Sequence, residues 1–287
     1  MEPITWLKPK NDFIFKLIFG SDRKKSKALL LSLLNDFLQV PDGKSFGAVE
    51  IVNPFTDKQN VNDKLSVFDI KAKISGYGYA NVEIQLTNQK NIHKRSLYYG
   101  AKLYEEQLGK GDDYYQLTKV TTINLLDFEF FTSDAYYNCY RLMEEKTGEP
   151  FPDLMQLHFI EMPKFVRQQQ ERSIPKNDRM AKWLHFLTNE DDMRWAKMAK
   201  QDPMLEMAVD ILKQASLDPE TRMQYEAREK ALKDIASIRG DGKREGKYEG
   251  KLEVAKKMIK KGMALELIVE MTELPLEEVE ALKNKLT

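Results

Sequence analysis

One short segment carries residue types that could bind a divalent cation and act on a phosphate ester. Residues 67–85 read VFDIKAKISGYGYANVEIQ, with Asp69 on a first apolar-alternating run and Glu83 and Gln85 on a second. Mg²⁺ binds one or two carboxylates together with waters and phosphate oxygens. The bound ion stabilises charge on the phosphate and acidifies its water. A solvated hairpin in which neighbouring lysines pair with Glu83 is typical of the same pattern, so both interpretations stay open.

Whether the two carboxylates meet depends on the register of this hairpin. Alternating apolar residues predict strands at 64–74 and 79–87, and the glycine-rich residues between them predict the turn. Residues that lie opposite each other share a face, so Asp69 and Glu83 come together only if the loop has an odd number of residues or contains a bulge. Their Cβ atoms would then be roughly 5–8 Å apart. At that distance one pKa rises unless a cation lies between the carboxylates.

The remaining pattern predicts an α/β chain with a helical end. The run at 120–131 is almost continuously apolar, which is typical of a strand buried on both faces. We expect the glycine-interrupted stretch 240–262 to fray, because each glycine costs about 1 kcal/mol of helix stability. Further helices are predicted at 11–20, 29–38, 94–108 and after Pro163, and further strands at 47–55, 136–143 and 154–162.

Composition narrows the class of protein. The 287 residues contain 45 Lys and Arg against 45 Asp and Glu, so no overall charge attracts a polyanion or a membrane. The single cysteine, Cys139, excludes a disulfide within the chain and a cysteine-based zinc site. No apolar run reaches the roughly 20 residues that span a bilayer, and GxxxxGK[ST] is absent, so we expect no membrane and no nucleotide cofactor. We expect a cytoplasmic protein.

Several stretches agree in order and spacing with one nuclease family. Over residues 7–165 they are LKPKNDFIFKLIFG, FDIKAK, NVEIQ, RSLYYGAKLYEEQL, INLLDF and FIEMPKF. In these stretches the chain resembles the bacterial recombination-promoting nuclease and transposase-like family of the PD-(D/E)XK nuclease superfamily. The resemblance implies a restriction-endonuclease-like α/β core with a mixed central sheet flanked by helices. It implies a nuclease-like domain at 1–165, a helical region at 166–239 and a charged helical tail at 240–287.

The resemblance also implies roles for individual residues. Asp69 and Glu83 correspond to the metal-binding and catalytic carboxylates, with Mg²⁺, Mn²⁺ or Ca²⁺ as the ion. Gln85 stands where other PD-(D/E)XK enzymes have a lysine; an amide can only hydrogen-bond the attacking water, so the metal must supply most of its activation. The residues expected to support the site are Asn11, Asp12, Lys71, Arg95 and Tyr98.

The expected function is a metal-dependent DNA endonuclease linked to recombination or to mobile elements. The alternative is a catalytically inactive DNA-binding or assembly protein on a nuclease-like fold. Basic stretches at 7–27 and 241–261 suit contacts with the DNA backbone, although a solvated helix surface is typical of the same pattern. Methionines and tryptophans at 180–212 indicate helix packing, and any homo-oligomer is expected to form through the C-terminal helices.

Overall fold

The computed structural model describes residues 4–41, 43–52, 69–175, 177–189 and 191–286. It confirms the predicted α/β class with a mixed six-stranded sheet. The strand order is β1-β2-β3-β4-β6-β5; β1, β2 and β3 are antiparallel neighbours, β3, β4 and β6 are parallel, and β5 runs antiparallel to β6. The strands are β1 (Val49–Val52), β2 (Ile70–Ile74), β3 (Gly78–Gln85), β4 (Lys119–Leu126), β5 (Tyr137–Arg141) and β6 (Met155–Glu161).

Helices cover both faces of the sheet and form the whole C-terminal part of the described chain. The second helix begins at Lys24, ahead of the apolar run at 29–38 and close to Ser21 and Asp22, the caps that the sequence suggests; its N-cap is Arg23, which makes no side-chain capping hydrogen bond. The helices are α1 (Asp12–Phe19), α2 (Lys24–Phe37), α3 (Ile92–Glu105), α4 (Met162–Gln170), α5 (Ala181–Thr188), α6 (Asp192–Ala199), α7 (Pro203–Leu217), α8 (Pro219–Lys260), α9 (Leu265–Thr272) and α10 (Leu276–Leu286).

The main hydrophobic core lies between one sheet face and helices α1, α2, α5 and α7. Val82 and Ile84 of β3 are buried in this core, and the ring of Phe19 in α1 lies 5.4 Å from that of Trp183 in α5. Helices α5 and α7 therefore share one core with α1 and α2. The other face of the sheet carries α3, which approaches β4 closely at Gly100: a Cβ there would lie 3.3 Å from Thr122.

Contacts divide the chain into two compact units, Met1–Tyr225 and Glu226–Thr287. The boundary falls inside α8. The expected boundaries at 165 and 239 stay predictions. In the second unit a small core forms around Ala255, Ile268, Leu274 and Val279. Within the described residues no helix is both long and apolar enough to cross a membrane.

The glycines at 240, 242, 246 and 250 do not interrupt the helix, and the expectation that residues 240–262 fray stays a prediction. Residues 240–260 belong to the continuous helix α8, which ends just before Gly262 at a positive φ of 71°. The end of this helix is anchored because Ala255 is fully buried in the small core. Local glycine propensity missed this contribution from packing.

Candidate active site

The β2–β3 hairpin has the register that brings the two acidic residues together. Ile74 lies opposite Gly78, so the loop consists of the three residues 75–77. The same register, continued one residue beyond β2, brings Asp69 opposite Glu83 on one face. The odd loop required for that arrangement is therefore present.

Two glycines make this turn possible. Gly76 has a φ of +72° and faces open space. Gly78 has a φ of +137°, and a Cβ there would lie 2.1 Å from the backbone oxygen of Lys119 at the start of β4. The first glycine supplies a left-handed turn, and the second lets β3 and β4 approach closely.

The Asp69 carboxylate contacts both strand β3 and helix α1. Its Oδ2 accepts a hydrogen bond from the backbone N–H of Ile84 at 3.0 Å, and the Nζ of Lys16 lies 3.2 Å from its Oδ1. Burial raises the pKa of Asp69; the Lys16 charge lowers it, and the charge of Asp12 adds to the increase. The Asp69 carboxylate is therefore costly to ionise in the absence of a further cation.

Helix α1 presents two charged residues toward the hairpin. Asn11 caps the helix, because its buried side chain accepts from the backbone N–H groups of Phe13 and Ile14. Asp12 and Lys16 are four residues apart and therefore lie on one side of this helix. Sequence reasoning missed Lys16, although a lone basic residue within FIFKLIF, one turn after Asp12, was a visible signal.

Glu83 is almost fully buried and accepts three side-chain hydrogen bonds. The donors are Asn81 Nδ2 at 3.1 Å, Arg95 Nη2 at 3.1 Å and Gln85 Nε2 at 3.5 Å. Arg95 Nη1 also donates to Gln85 Oε1 at 3.3 Å, so the guanidinium near the start of α3 bridges both residues. Burial, followed by repulsion from Asp69, raises the pKa of Glu83 to about 7, against the lowering effect of Arg95.

This geometry agrees with the result of comparing the chain with known families. A family profile described as PD-(D/E)XK nuclease family transposase matches residues 9–240. The chain belongs to this family. No curated protein and no solved structure matches the chain. Membership in the PD-(D/E)XK nuclease transposase family supports a nuclease- or transposase-like function, and the match extends beyond the core to helices α4–α7.

Two predicted supporting residues, Lys71 and Tyr98, contact residues other than Asp69 and Glu83. The Nζ of Lys71 lies 2.7 Å from Glu106 Oε2, at the end of α3. Tyr98 is 44% exposed, and its ring lies 5.9 Å from that of Tyr99. It is Tyr99 that lies under the Arg95 guanidinium, 5.3 Å from the ring centre. The roles expected of Lys71 and Tyr98 stay predictions.

The residues present fit a divalent cation of the kind that PD-(D/E)XK nucleases generally use. Two carboxylates with raised pKa values face each other, and beside them the buried Oδ1 of Asn81 has no hydrogen-bond partner among the described residues. No three His, Cys, Asp or Glu side chains come together as a metal site in the described ranges. Because Mg²⁺ needs only one or two carboxylates, with waters and other oxygens completing its shell, this set is sufficient.

A buried ion pair fixes the loop that follows β4 beside this site. The fully buried Lys164 donates to Glu161 Oε2 at 2.7 Å and to the backbone oxygens of Phe131 and Ser133 at 2.7 and 2.6 Å. The loop begins at Asp127, whose N–H donates to the backbone oxygen of Gln85 at 2.9 Å. The FIEMPKF segment therefore supports the edge of the site through this loop.

Proposed function

We propose that this chain is a metal-dependent endonuclease that hydrolyses phosphodiester bonds in DNA and acts in recombination or in mobile-element processes. The observation that supports it is the facing pair of Asp69 and Glu83, whose pKa values are raised by loss of solvent around the partly buried Asp69 and the almost fully buried Glu83. Structural hairpins seldom bury two carboxylates on one face, whereas perturbed pKa values are common at catalytic sites. The proposal includes a cytoplasmic location.

In this mechanism Asp69 and Glu83 would hold Mg²⁺, or Mn²⁺ or Ca²⁺ in its place. The bound ion supplies charge stabilisation at the phosphate and acidifies a water molecule. Gln85 orients the attacking water, because its amide both donates and accepts hydrogen bonds but carries no charge.

Two cationic side chains border the same site and suit a phosphate group. Arg95 offers a planar set of donors that matches phosphate oxygens. Lys16 keeps 41% of its side chain exposed at the opening. Because Gln85 cannot provide the positive charge of the usual lysine, we assign that contribution to Lys16 and Arg95 rather than to Lys71, whose ammonium pairs with Glu106.

Contacts with DNA are proposed to be mainly with its backbone. Of the basic residues in 7–27, Lys10, Lys16 and Lys27 form ion pairs with Asp127, Asp69 and Asp22 respectively. Exposed basic side chains also occupy the start of α2, at residues 23–25. Phosphate contacts of this kind are independent of sequence and weaken as the salt concentration rises.

The test is a plasmid-nicking assay with Mg²⁺ or Mn²⁺ on the full chain and on Asp69→Asn. We expect the parent to nick DNA and Asp69→Asn to lose nicking while keeping the parent's circular dichroism spectrum. Asp153→Asn is the matched control, because Asp153 also pairs with a lysine, Lys119, but at the opposite end of β4. Equal nicking by Asp69→Asn and the parent would refute the site.

A second candidate is a catalytically inactive DNA-binding or assembly protein of the same family. It is favoured by one observation: each carboxylate already has a cationic partner, Lys16 for Asp69 and Arg95 for Glu83. DNA binding that is unchanged by EDTA, together with no cleavage under any divalent metal, would support this candidate and contradict the endonuclease. Any homo-oligomer is proposed to form through the C-terminal helices, which size-exclusion chromatography of a chain truncated after α7 would test.

A further inference from the structure

Asn81, two residues before Glu83, is buried with an unused acceptor atom. Only 1% of the residue is exposed. Its Nδ2 donates to Glu83 Oε1 at 3.1 Å, while its Oδ1 has no hydrogen-bond partner within the described residues. A buried acceptor without a partner lowers the stability of the fold, because it has given up its hydrogen bonds to water. The position therefore carries a cost that an apolar side chain would avoid.

The polar residues around Asn81 are only partly paired, because Arg95 Nε and Glu106 Oε1 are also buried without a hydrogen-bond partner among the described residues. Asn81 and Glu83 share a face because side chains alternate along β3. Next to Asn81 on β4 lies Thr122, whose hydroxyl is 2.7 Å from that of Ser96 on α3. Of the two acceptors left unpaired among the described residues, Asn81 Oδ1 and Glu106 Oε1, the first belongs to the residue that bonds Glu83 beside the candidate cation site.

An asparagine amide can exchange its oxygen and nitrogen by rotating half a turn, and hydrogen-bond partners determine which orientation is populated. Without a cation, the NH₂ group of Asn81 faces Glu83 because the carboxylate needs donors. After rotation, the amide oxygen would occupy that position, 3.1 Å from Glu83 Oε1. Two oxygens that bind one Mg²⁺ side by side, each at about 2.1 Å, are about 3 Å apart.

We propose that Asn81 is a third protein ligand of the divalent cation, with its amide oxygen joining the carboxylates of Asp69 and Glu83. Carbonyl oxygens suit Mg²⁺, Mn²⁺ and Ca²⁺ alike. A neutral ligand adds coordination without adding the repulsion that a third buried carboxylate would bring. This inference rests on the proposed function and extends its cation site by one residue.

The test is Mn²⁺ binding to the full chain, measured by calorimetry and by the loss of the free-ion electron paramagnetic resonance signal. Asn81→Leu, which keeps a side chain branched at Cγ but removes the oxygen, should weaken Mn²⁺ binding at least tenfold with an unchanged circular dichroism spectrum. Asn81→Asp, which restores an oxygen, should bind at least as tightly as the parent. Thr122→Val removes a buried hydrogen bond from the adjacent strand and should stay within twofold of the parent.

The outcomes separate this inference from the proposed function. If Asp69→Asn abolishes Mn²⁺ binding while Asn81→Leu stays within twofold of the parent, Asn81 is not a ligand and the cation site survives. If Asn81→Leu and Asn81→Asp weaken Mn²⁺ binding equally, Asn81 has a structural role and the proposal that it binds the cation is overturned. Absence of Mn²⁺ binding by the parent would overturn the cation site and this inference together. If Asn81→Leu does not fold, Asn81→Ala is judged by the same criteria.

Discussion

Replacing Glu83 by glutamine is expected to change how the stability of the metal-free protein responds to pH. Burial and the nearby charge of Asp69 raise the pKa of Glu83 from 4.5 to about 7. The folded state therefore binds this proton more tightly than the unfolded chain does. The stabilisation is complete below about pH 4.5 and is lost as the pH rises through about 7.

The magnitude follows from the size of the shift. At 1.36 kcal/mol per pKa unit, the full contribution is about 3 kcal/mol, of which about 2 kcal/mol is lost between pH 5.5 and pH 8. Glutamine cannot ionise and so avoids this loss. Relative to the parent, the free energy of unfolding of Glu83→Gln should rise by about 2 kcal/mol over that interval.

The assay is urea unfolding in EDTA at both pH values, followed by the fluorescence of the buried Trp183 and Trp195. Burial also lowers the pKa of His158 to about 4, so this residue makes both proteins less stable in acid. Its effect is common to the parent and the variant and cancels in the difference. The reasoning would be refuted if the free energy of unfolding of Glu83→Gln, relative to the parent, stayed constant or fell as the pH rises. Glu83 would then ionise in the folded protein at no cost in stability.

Three further predictions concern the supports of the site. Lys164→Met should lower the free energy of unfolding in urea by about 3–5 kcal/mol, because it leaves Glu161 as a buried charge without its cation; a loss below 1 kcal/mol would contradict this. Lys16→Met should tighten Mn²⁺ binding about twofold to fivefold in a titration, because the ammonium group of Lys16 repels a metal cation at Asp69. Weaker binding by the variant would show that Lys16 orients the Asp69 carboxylate instead. Gly78→Ala should not fold stably, because its Cβ would overlap a backbone oxygen of β4. Gly76→Ala is the matched control and should lower the free energy of unfolding by about 1–2 kcal/mol. Equal melting temperatures for the two variants would contradict this prediction.

The sequence allowed prediction of the strands of the hairpin and the faces of their side chains, because period-two alternation is a local property. It left the loop length open, since 75–78 contains glycines compatible with turns of different lengths. The deciding constraint at Gly78 is its contact with Lys119 on another strand. Such a contact exists only after β3 and β4 pair, so no local pattern could reveal it.

The same limit explains the residues that sequence reasoning missed. Lys16 reaches Asp69 only because α1 packs across the hairpin. The alternation also showed that Asn81 shares a face with Glu83, but whether its amide oxygen finds a partner depends on the residues that surround it in the folded chain.

The three-residue turn makes the hairpin sensitive to the length of the chain as well as to its composition. If β3 keeps its place, inserting or deleting one residue at 75–77 would rotate each side chain of β2 to the reverse side of the ribbon, which would send Asp69 toward the apolar core. A two-residue insertion would preserve its orientation. Relatives that keep the paired carboxylates should therefore have turns that differ from this one by even numbers of residues, a parity rule that their sequences can display directly.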